Sequence, residues 1–415
     1  MQILFLHQNF PGQYRHLAAA MARRKGVKVV GLGQNETPLL PGITQLRYKP
    51  PEPGKTTPHP YLLRTEGHIR HGQAAARAVL ELRKKGLRPD LICAHPGWGE
   101  ALFVKDVFPE AKMILYWEYF FRSAGGDIGF DPPGVPVSLD EAARTRVQNT
   151  IQLIQLEAAD WGVSPTRWQW SRYPDWARDR ISVIHEGIDT AIASPHGPAE
   201  FRLPDGRVLT KEDEVASFVA RNLEPYRGFP QFMRALPAFQ KLRPRAHVVV
   251  VGGDGVSYGR APAQGGSWRD VMLRELDGQL DLSRIHFTGR VSYPNLLSLF
   301  RLTRAHLYLT YPFVLSWSML DAMACGAAIL GSSTAPVTEV IQDGINGRLT
   351  DFFNPAAIAE HLAAMLADPD AQAPLKAAAR RHVETHYDLQ AICLPRQMAL
   401  LDAIATGQPA PEFDG

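Results

Sequence analysis

The chain has 415 residues, 45% of them apolar and 21% charged, with a formal net charge of +3. That length exceeds what one hydrophobic core usually supports, so two domains are the default. The small net charge gives no footprint for nucleic acid, no apolar run approaches the ~18–20 residues that span a bilayer, and the scattered Cys93, Cys325 and Cys393 argue against a disulfide framework or a CxxC zinc site.

In chain order, residues 1–7 lack the basic region and cleavage site of a signal peptide, and residues 3–7 read as a buried strand. Pro11-Gly12 marks a turn, 14–24 a helix and 27–32 a second strand. A long helix covers 62–85, with Gly86 at its C-cap. Strands follow at 91–94, 113–117 and 182–185. This alternation predicts a parallel sheet with helices on both faces. Residues 191–212 are rich in turn residues and lack apolar periodicity, which reads as a linker. A second series has strands at 215–220, 247–251, 285–288, 306–310 and 327–330. Its helices fall around 229–241, 268–277, 293–302, 318–325 and 336–341, and helices near 355–366 and 371–406 close the chain. The expected domains are 1–190, a linker 191–212, a second domain 213–388, and a C-terminal helix that crosses back with a tail, 389–415. Doubly wound sheets bind ligands at the carboxyl ends of their strands, so two of them facing one another would place a two-substrate site in the cleft.

Charge is uneven. Residues 1–212 hold 27 Lys+Arg against 22 Asp+Glu, and the rest holds 18 against 20. The clusters Arg23-Arg24-Lys25 and Arg83-Lys84-Lys85 read either as helix C-termini or as a face for anionic lipid. The second reading would put a cytoplasmic protein peripherally at the inner face of the membrane.

The strongest chemical signal is the segment from Ser316 to Gly326, after the strand 306–310. Ser316 or Ser318 can cap a helix whose free N–H groups form an anion site suited to a diphosphate. Asp321, one turn on, suits ribose hydroxyls. The second signal is Arg221-Asn222-Leu223-Glu224-Pro225-Tyr226-Arg227-Gly228. Arg221 at a strand end and Arg227 before a helix read as a two-guanidinium clamp on a pyrophosphate, or as two surface arginines flanking a turn.

These motifs resemble glycosyltransferase family four, whose members have the GT-B fold. The family has an Arg followed six residues later by Lys-Gly, here Arg221 and Arg227-Gly228. Its Gly-rich turn is matched by Val251-Gly252-Gly253-Asp254-Gly255. Its base-proximal segment is matched by Phe287-Thr288-Gly289-Arg290-Val291. Its late stretch is matched by Pro336-Val337-Thr338-Glu339-Val340 and Asp343-Gly344-Ile345-Asn346-Gly347. In the first half, Ala159-Asp160-Trp161-Gly162-Val163-Ser164 and Val183-Ile184-His185-Glu186-Gly187-Ile188-Asp189 match further segments. Of the family's two glutamates seven residues apart, Asp321 stands at the second position and Phe313 at the first. Phe313 cannot accept a hydrogen bond, so the grip on the sugar departs from the family pattern. Backbone N–H groups around 314–316 would have to replace it.

The resemblance implies a donor side of Gly253, Arg290, Val291, Val314, Leu315, Ser316, Trp317, Ser318 and Asp321. In the first half, only Gly12 of the stretch from Gln8 to Tyr14 remains of the family's Gly-rich loop, with Gln13 beside it on the acceptor side. His95 resembles the last His of a strand-end motif, and reads as a cleft residue or as one that bonds local backbone. Glu118 stands at the end of the next strand, where many members have His. It reads as a base, an orienting group or an oxocarbenium stabiliser, or as a structural partner for Arg122 or another cation. Asp127 lies in the turn-rich 125–134 segment expected over the acceptor side. The segment 257–266 reads as a lid on the donor side or an insertion. Asp368-Pro369-Asp370 reads as a turn, so no metal is expected.

The expected fold class is therefore α/β, GT-B, with two tandem Rossmann-like domains. The expected activity is retaining, metal-independent transfer of a sugar from a nucleotide diphosphate sugar to a glycan, lipid-linked or small-molecule hydroxyl, as in polysaccharide biosynthesis. Arg221, Arg227, Glu118 and His95 would serve catalysis, and no cofactor is expected beyond the nucleotide sugar co-substrate. The alternatives are a nucleotide-sugar epimerase of the same fold and a non-catalytic nucleotide-sugar binder. A nicotinamide oxidoreductase lacks its GxGxxG after the first strand.

Overall fold

A computed structural model describes residues 1–54 and 57–413. The chain divides into two compact units, Met1–Gly187 with Leu389–Gly415, and Ile188–Asp388.

The first unit is built on strands β1 (Gln2–Leu6), β2 (Lys28–Gly33), β3 (Ile43–Arg47), β4 (Leu91–Ala94), β5 (Lys112–Tyr116), β6 (Trp161–Ser164) and β7 (Ile181–Val183). They pair in the order β3-β2-β1-β4-β5-β6-β7, every pair parallel. Side chains alternate across the sheet. Leu4 and Leu6 enter one core with Ile92, Met113 and Trp117, while Ile3 and Phe5 enter the other with Leu91, Ile114 and Tyr116. Burial on both faces is why these strands read as unbroken apolar runs. The sequence reading missed β3, a polar edge strand, and β6, which has four residues.

The last helix, Leu394–Ala405, completes this unit. Leu400 and Leu401 are buried in the core of Ile3 and Phe5, Arg24 pairs with Asp402 at 2.7 Å, and Gln397 Nε2 donates to the His185 carbonyl at 2.8 Å. The expected single helix over 371–406 is two, Ala373–His386 and Leu394–Ala405, separated by a π-helical turn at Leu389–Cys393. The chain re-enters the first unit at this break.

The second unit carries β10 (Val215–Asn222), β11 (His247–Gly253), β12 (Ile285–Gly289), β13 (Ala305–Tyr308), β14 (Ile329–Ser332) and β15 (Arg348–Thr350), in the parallel order β12-β11-β10-β13-β14-β15. The stretch read as a linker belongs to this unit. It holds the antiparallel hairpin β8 (Phe201–Arg202) and β9 (Val208–Leu209), and Phe201, Leu203 and Leu209 pack with Val215, Val249 and Leu299. Arg301 fixes its start by donating to the carbonyls of Ile192, Ser194 and Pro198 at 2.7–3.3 Å. Hairpin strands of two residues are too short to show periodicity, so only the turns were visible in the sequence.

No helix among the described residues is long and apolar enough to cross a membrane. Several of the clustered cations close off local structure: Lys84 pairs with Glu81 at 2.7 Å, and Arg83 donates to the Val107 carbonyl.

His7, His185 and His306 are buried, and each pKa is lowered to about 3, chiefly by that burial. Unfolding returns them to about 6.5, so the unfolded chain takes up protons that the folded chain refuses. Their contribution to stability is present above that value and is lost as pH falls toward 3. Asp321 and Glu100, whose pKa values burial raises, pull the other way. The comparison is therefore made within one residue. His306→Gln, which keeps a polar partner for Ser217 Oγ (2.9 Å from His306 Nδ1), is expected to shrink the loss of denaturation midpoint between pH 7.5 and pH 5. An unchanged pH dependence would contradict this.

Candidate functional site

In the first unit, polar residues gather where β1, β4 and β5 end. His7 follows β1, and its Nδ1 accepts the Asn9 N–H at 2.9 Å. That assigns the ring proton to Nε2, which lies 2.7 Å from Gln13 Oε1. Gln13 Nε2 in turn donates to Glu118 Oε1 at 3.1 Å. His95 follows β4, and its Nδ1 accepts the Gly97 N–H at 3.0 Å. Its proton therefore also sits on Nε2, 3.6 Å from Glu118 Oε2. The His95 ring is stacked between Trp98 and Tyr116, at 4.5 and 5.4 Å.

Glu118 is thus the convergence point of two histidines and a glutamine. Burial alone would raise its pKa, but the proximity of His95, with His7 and the Gln13 hydrogen bond, brings it below the usual carboxylate value. Its side chain keeps 36% of its surface exposed. It is a pre-oriented, ionised carboxylate with a free edge, suited to accept a hydrogen bond from a hydroxyl. Arg122 is not its partner. That guanidinium donates to the Arg172 carbonyl at 2.9 Å and lies over Phe120.

Gly12 and Asp127 take other roles than expected. Gly12 has φ +47°, and a Cβ there would come within 2.4 Å of the His7 ring. It permits the close approach that seats His7. Asp127 is buried and accepts the Tyr119 hydroxyl at 2.8 Å, which makes it a support of its loop. His7 escaped the sequence reading, although a histidine just after an apolar run marks the open end of a strand.

In the second unit, Arg221 lies exposed near the end of β10. Arg227 is different: it is 7% exposed. Its Nη1 donates to Tyr308 Oη (3.2 Å), Thr310 Oγ1 (2.8 Å) and the Val314 carbonyl (3.0 Å). Of the two guanidiniums read as a clamp or as surface arginines, one is buried and one is exposed. Gly228 makes this burial possible. It turns the chain at φ +67°, and a Cβ would meet Leu309 at 2.4 Å.

The loop held by Arg227 leads into the helix Trp317–Ala324. Ser316 Oγ caps it, accepting the Ser318 N–H at 3.3 Å, and the two serine hydroxyls lie 2.9 Å apart. The Ser316 N–H, expected among the anion donors, is already given to Tyr308 Oη at 2.8 Å. Val314 is buried, Leu315 and Ser318 are half-buried, and Trp317 is exposed at the first helical position. Asp321 is buried and accepts the Tyr293 hydroxyl at 3.0 Å. Burial raises its pKa to about 6, against the lowering effect of that bond.

Gly253 and Arg290 meet at Asn222. Arg290 Nη2 donates to Asn222 Oδ1 at 3.2 Å, and a Cβ on Gly253 would stand 2.7 Å from the same oxygen. Val291 packs against the apolar cluster that holds Val249, Val251 and Leu299 among others. Phe313 sits in an aromatic cluster, 5.3 Å from Tyr226 and 5.1 Å from Tyr258. The sequence reading attached no role to Asn222, Glu224 or Tyr293. The first two lie within the arginine motif, which is the signal that could have found them. No group of three or more His, Cys, Asp or Glu among the described residues is placed to hold a metal ion.

Gly12→Ala forces a left-handed φ on alanine and drives its Cβ into His7, at a cost of about 1–3 kcal/mol. We expect a lower melting temperature together with a raised Glu118 pKa, read by carboxylate NMR titration. Unchanged values of both would contradict the Glu118 network.

Two family models match the chain: the glycosyl transferase family 4 group over residues 25–193 and glycosyl transferases group 1 over 204–382. The chain is 28% identical over 209 residues to the D-inositol 3-phosphate glycosyltransferase of Mycolicibacterium vanbaalenii, which is 50% of this chain and 44% of that protein. It is 26% identical to the enzyme of that name from Thermobispora bispora over 49% of this chain and 46% of that one. The chain thus spans less than half the length of these curated relatives. Among solved structures, sucrose-phosphate synthase from Thermosynechococcus elongatus aligns over 98% of this chain and 100% of its own, with TM-score 0.73 and 17% identity. Anabaena HepE in complex with UDP-glucose aligns over 96% and 98%, with TM-score 0.66 and 15% identity. At such identities the likeness is one of fold, and that fold is GT-B. One family model falls on each unit, the family 4 group on the first and group 1 on the second, and together with the fold they support a GT-B glycosyltransferase similar to family four.

Proposed function

We propose that this protein transfers a sugar from a nucleoside diphosphate to an acceptor hydroxyl. The observation that carries this is the charge of Arg227. Its three hydrogen-bond partners are neutral, and the nearby Glu224, whose charge acts on it, accepts its hydrogen bonds from the N–H groups of Ser257, Tyr258 and Gly259 and not from the guanidinium. A buried charge is normally paired, because leaving water costs several kcal/mol per ion. Arg227 lies beside the N-terminus of the helix Trp317–Ala324, so the missing counter-ion is an anion such as a diphosphate. Asp321 then takes ribose hydroxyls. The relatives named as glycosyltransferases and the UDP-glucose complex of HepE support the same donor class.

In the reaction, the bond from the sugar's anomeric carbon to the diphosphate oxygen breaks and a bond to the acceptor oxygen forms. Arg227 and the helix N-terminus stabilise the charge that collects on the departing diphosphate. Glu118 orients the acceptor hydroxyl. The acceptor proton passes to the leaving phosphate oxygen, the route that gives retention of configuration. No cofactor is invoked. Within the same reading, a lipid-linked acceptor would bring the exposed Lys25 and Lys85 to anionic lipid at the inner face of the membrane.

A thermal-shift panel of nucleoside diphosphate sugars tests this. A donor at 100 times its Kd adds about 2.7 kcal/mol, and turnover should then appear with a hydroxyl acceptor. If no such sugar stabilises the protein, or the bound one is never transferred, the proposal fails. The pKa of Asp321 adds a second check. Donor affinity should weaken as pH falls through about 6 and this carboxylate takes up a proton. Asp321→Asn should bind more weakly at pH 7.5 and lose that pH dependence. A variant that keeps the wild-type profile would rule out Asp321 as the ribose contact.

A further inference from the structure

The segment between β11 and the helix Trp268–Glu275 reads in sequence as a lid or an insertion. In the structure it is pinned along its length. Asp254 pairs with Arg269 at 2.9 Å, Asn222 Nδ2 donates to Ser257 Oγ at 2.7 Å, and Trp268 Nε1 donates to the Arg260 carbonyl at 2.9 Å. The central tie is Glu224. This carboxylate is buried, and it accepts the backbone N–H groups of Ser257, Tyr258 and Gly259 at 2.9–3.3 Å. Three donors on one carboxylate replace its hydration, which is how a buried charge is tolerated.

The consequence is the position of Tyr258. Its ring lies against the Arg227 guanidinium, 5.4 Å from centroid to Cζ, and packs on Phe313 and Tyr226. It remains 38% exposed. The one residue of the loop that touches the buried cation is therefore fixed there by the backbone bonds to Glu224.

We propose that Glu224 is a positioning residue that holds Tyr258 at the anion end of the donor site, where the Tyr258 side chain contacts the diphosphate and shields it from water. This rests on the reading of Arg227 as the diphosphate ligand. A phenol donates a hydrogen bond to a phosphate oxygen, and its ring, stacked on the guanidinium, excludes water from the ion pair. Phe313 fits the same picture. It gives Tyr258 an aromatic edge to pack on, where a glutamate would offer Arg227 a competing carboxylate.

The test uses the full chain and calorimetric titration with UDP, GDP and ADP, each beside its monophosphate. For the diphosphate that wild type binds most tightly, Tyr258→Ala should weaken binding by about tenfold or more and Tyr258→Phe by less, with smaller changes for the monophosphate. Glu224→Gln should weaken it in the same sense, and Glu224→Gln with Tyr258→Ala should bind no worse than Tyr258→Ala alone. Additive losses, or single variants that bind as wild type, overturn the proposal. If Glu224→Gln does not fold, the two Tyr258 variants decide, since that side chain is partly exposed. If wild type binds none of the three diphosphates, the donor reading itself fails and this inference falls with it. If wild type binds and the Tyr258 variants match it, only the inference fails.

Discussion

The second unit is organised around a positive charge that has been taken out of water with no carboxylate hydrogen-bonded to it. Arg227 is held by a phenol, a threonine hydroxyl and a carbonyl, and is faced by a tyrosine ring. Those contacts fix the loop after β13 and, through Tyr308 and the Ser316 N–H, the start of the helix Trp317–Ala324. One side chain therefore sets the geometry of the whole anion end. Its direct partners are dipoles, and the nearest acidic influence, Glu224, is occupied by backbone N–H groups. A glycine at position 228 is the backbone condition for this, since no side chain fits there.

The first unit solves a complementary problem, the exact placement of a negative charge. Glu118 is hydrogen-bonded on one oxygen by Gln13 and faced on the other by His95 at 3.6 Å, and the two histidines behind this arrangement are oriented by the backbone N–H groups of Asn9 and Gly97. Each histidine turns its Nε2 inward. Such a chain lowers the cost of keeping the carboxylate ionised and leaves one edge open for a substrate. Removing any one link disturbs the next, which is why a glycine under His7 matters to a glutamate more than a hundred positions away.

Much of this was legible in the sequence, for identifiable reasons. Strands buried on both faces announced themselves as apolar runs, and Arg227-Gly228, Ser316 and Asp321 sat at the strand ends and helix starts where doubly wound sheets bind ligands. The sequence did not separate the two arginines, because burial of Arg227 depends on Tyr308 and Thr310, at and just after the end of a strand far along the chain. It did not assign Glu118 a partner, since His7, Gln13 and His95 come from separate segments and only the fold joins them. Glu224 was invisible as an anchor because it bonds backbone N–H groups, which carry no residue signature. The hairpin in 191–212 was hidden by strands of two residues, and Asp127 looked like a loop ligand until Tyr119 was seen to hold it.

The most direct measurement of the central claim is a crystal structure of the protein with a nucleoside diphosphate sugar. The expected result places the diphosphate oxygens within hydrogen-bond distance of the Arg227 guanidinium and of the free N–H groups at the start of the helix Trp317–Ala324, with the ribose on Asp321. A diphosphate bound elsewhere, with Arg227 still carrying only its neutral partners, would contradict the account.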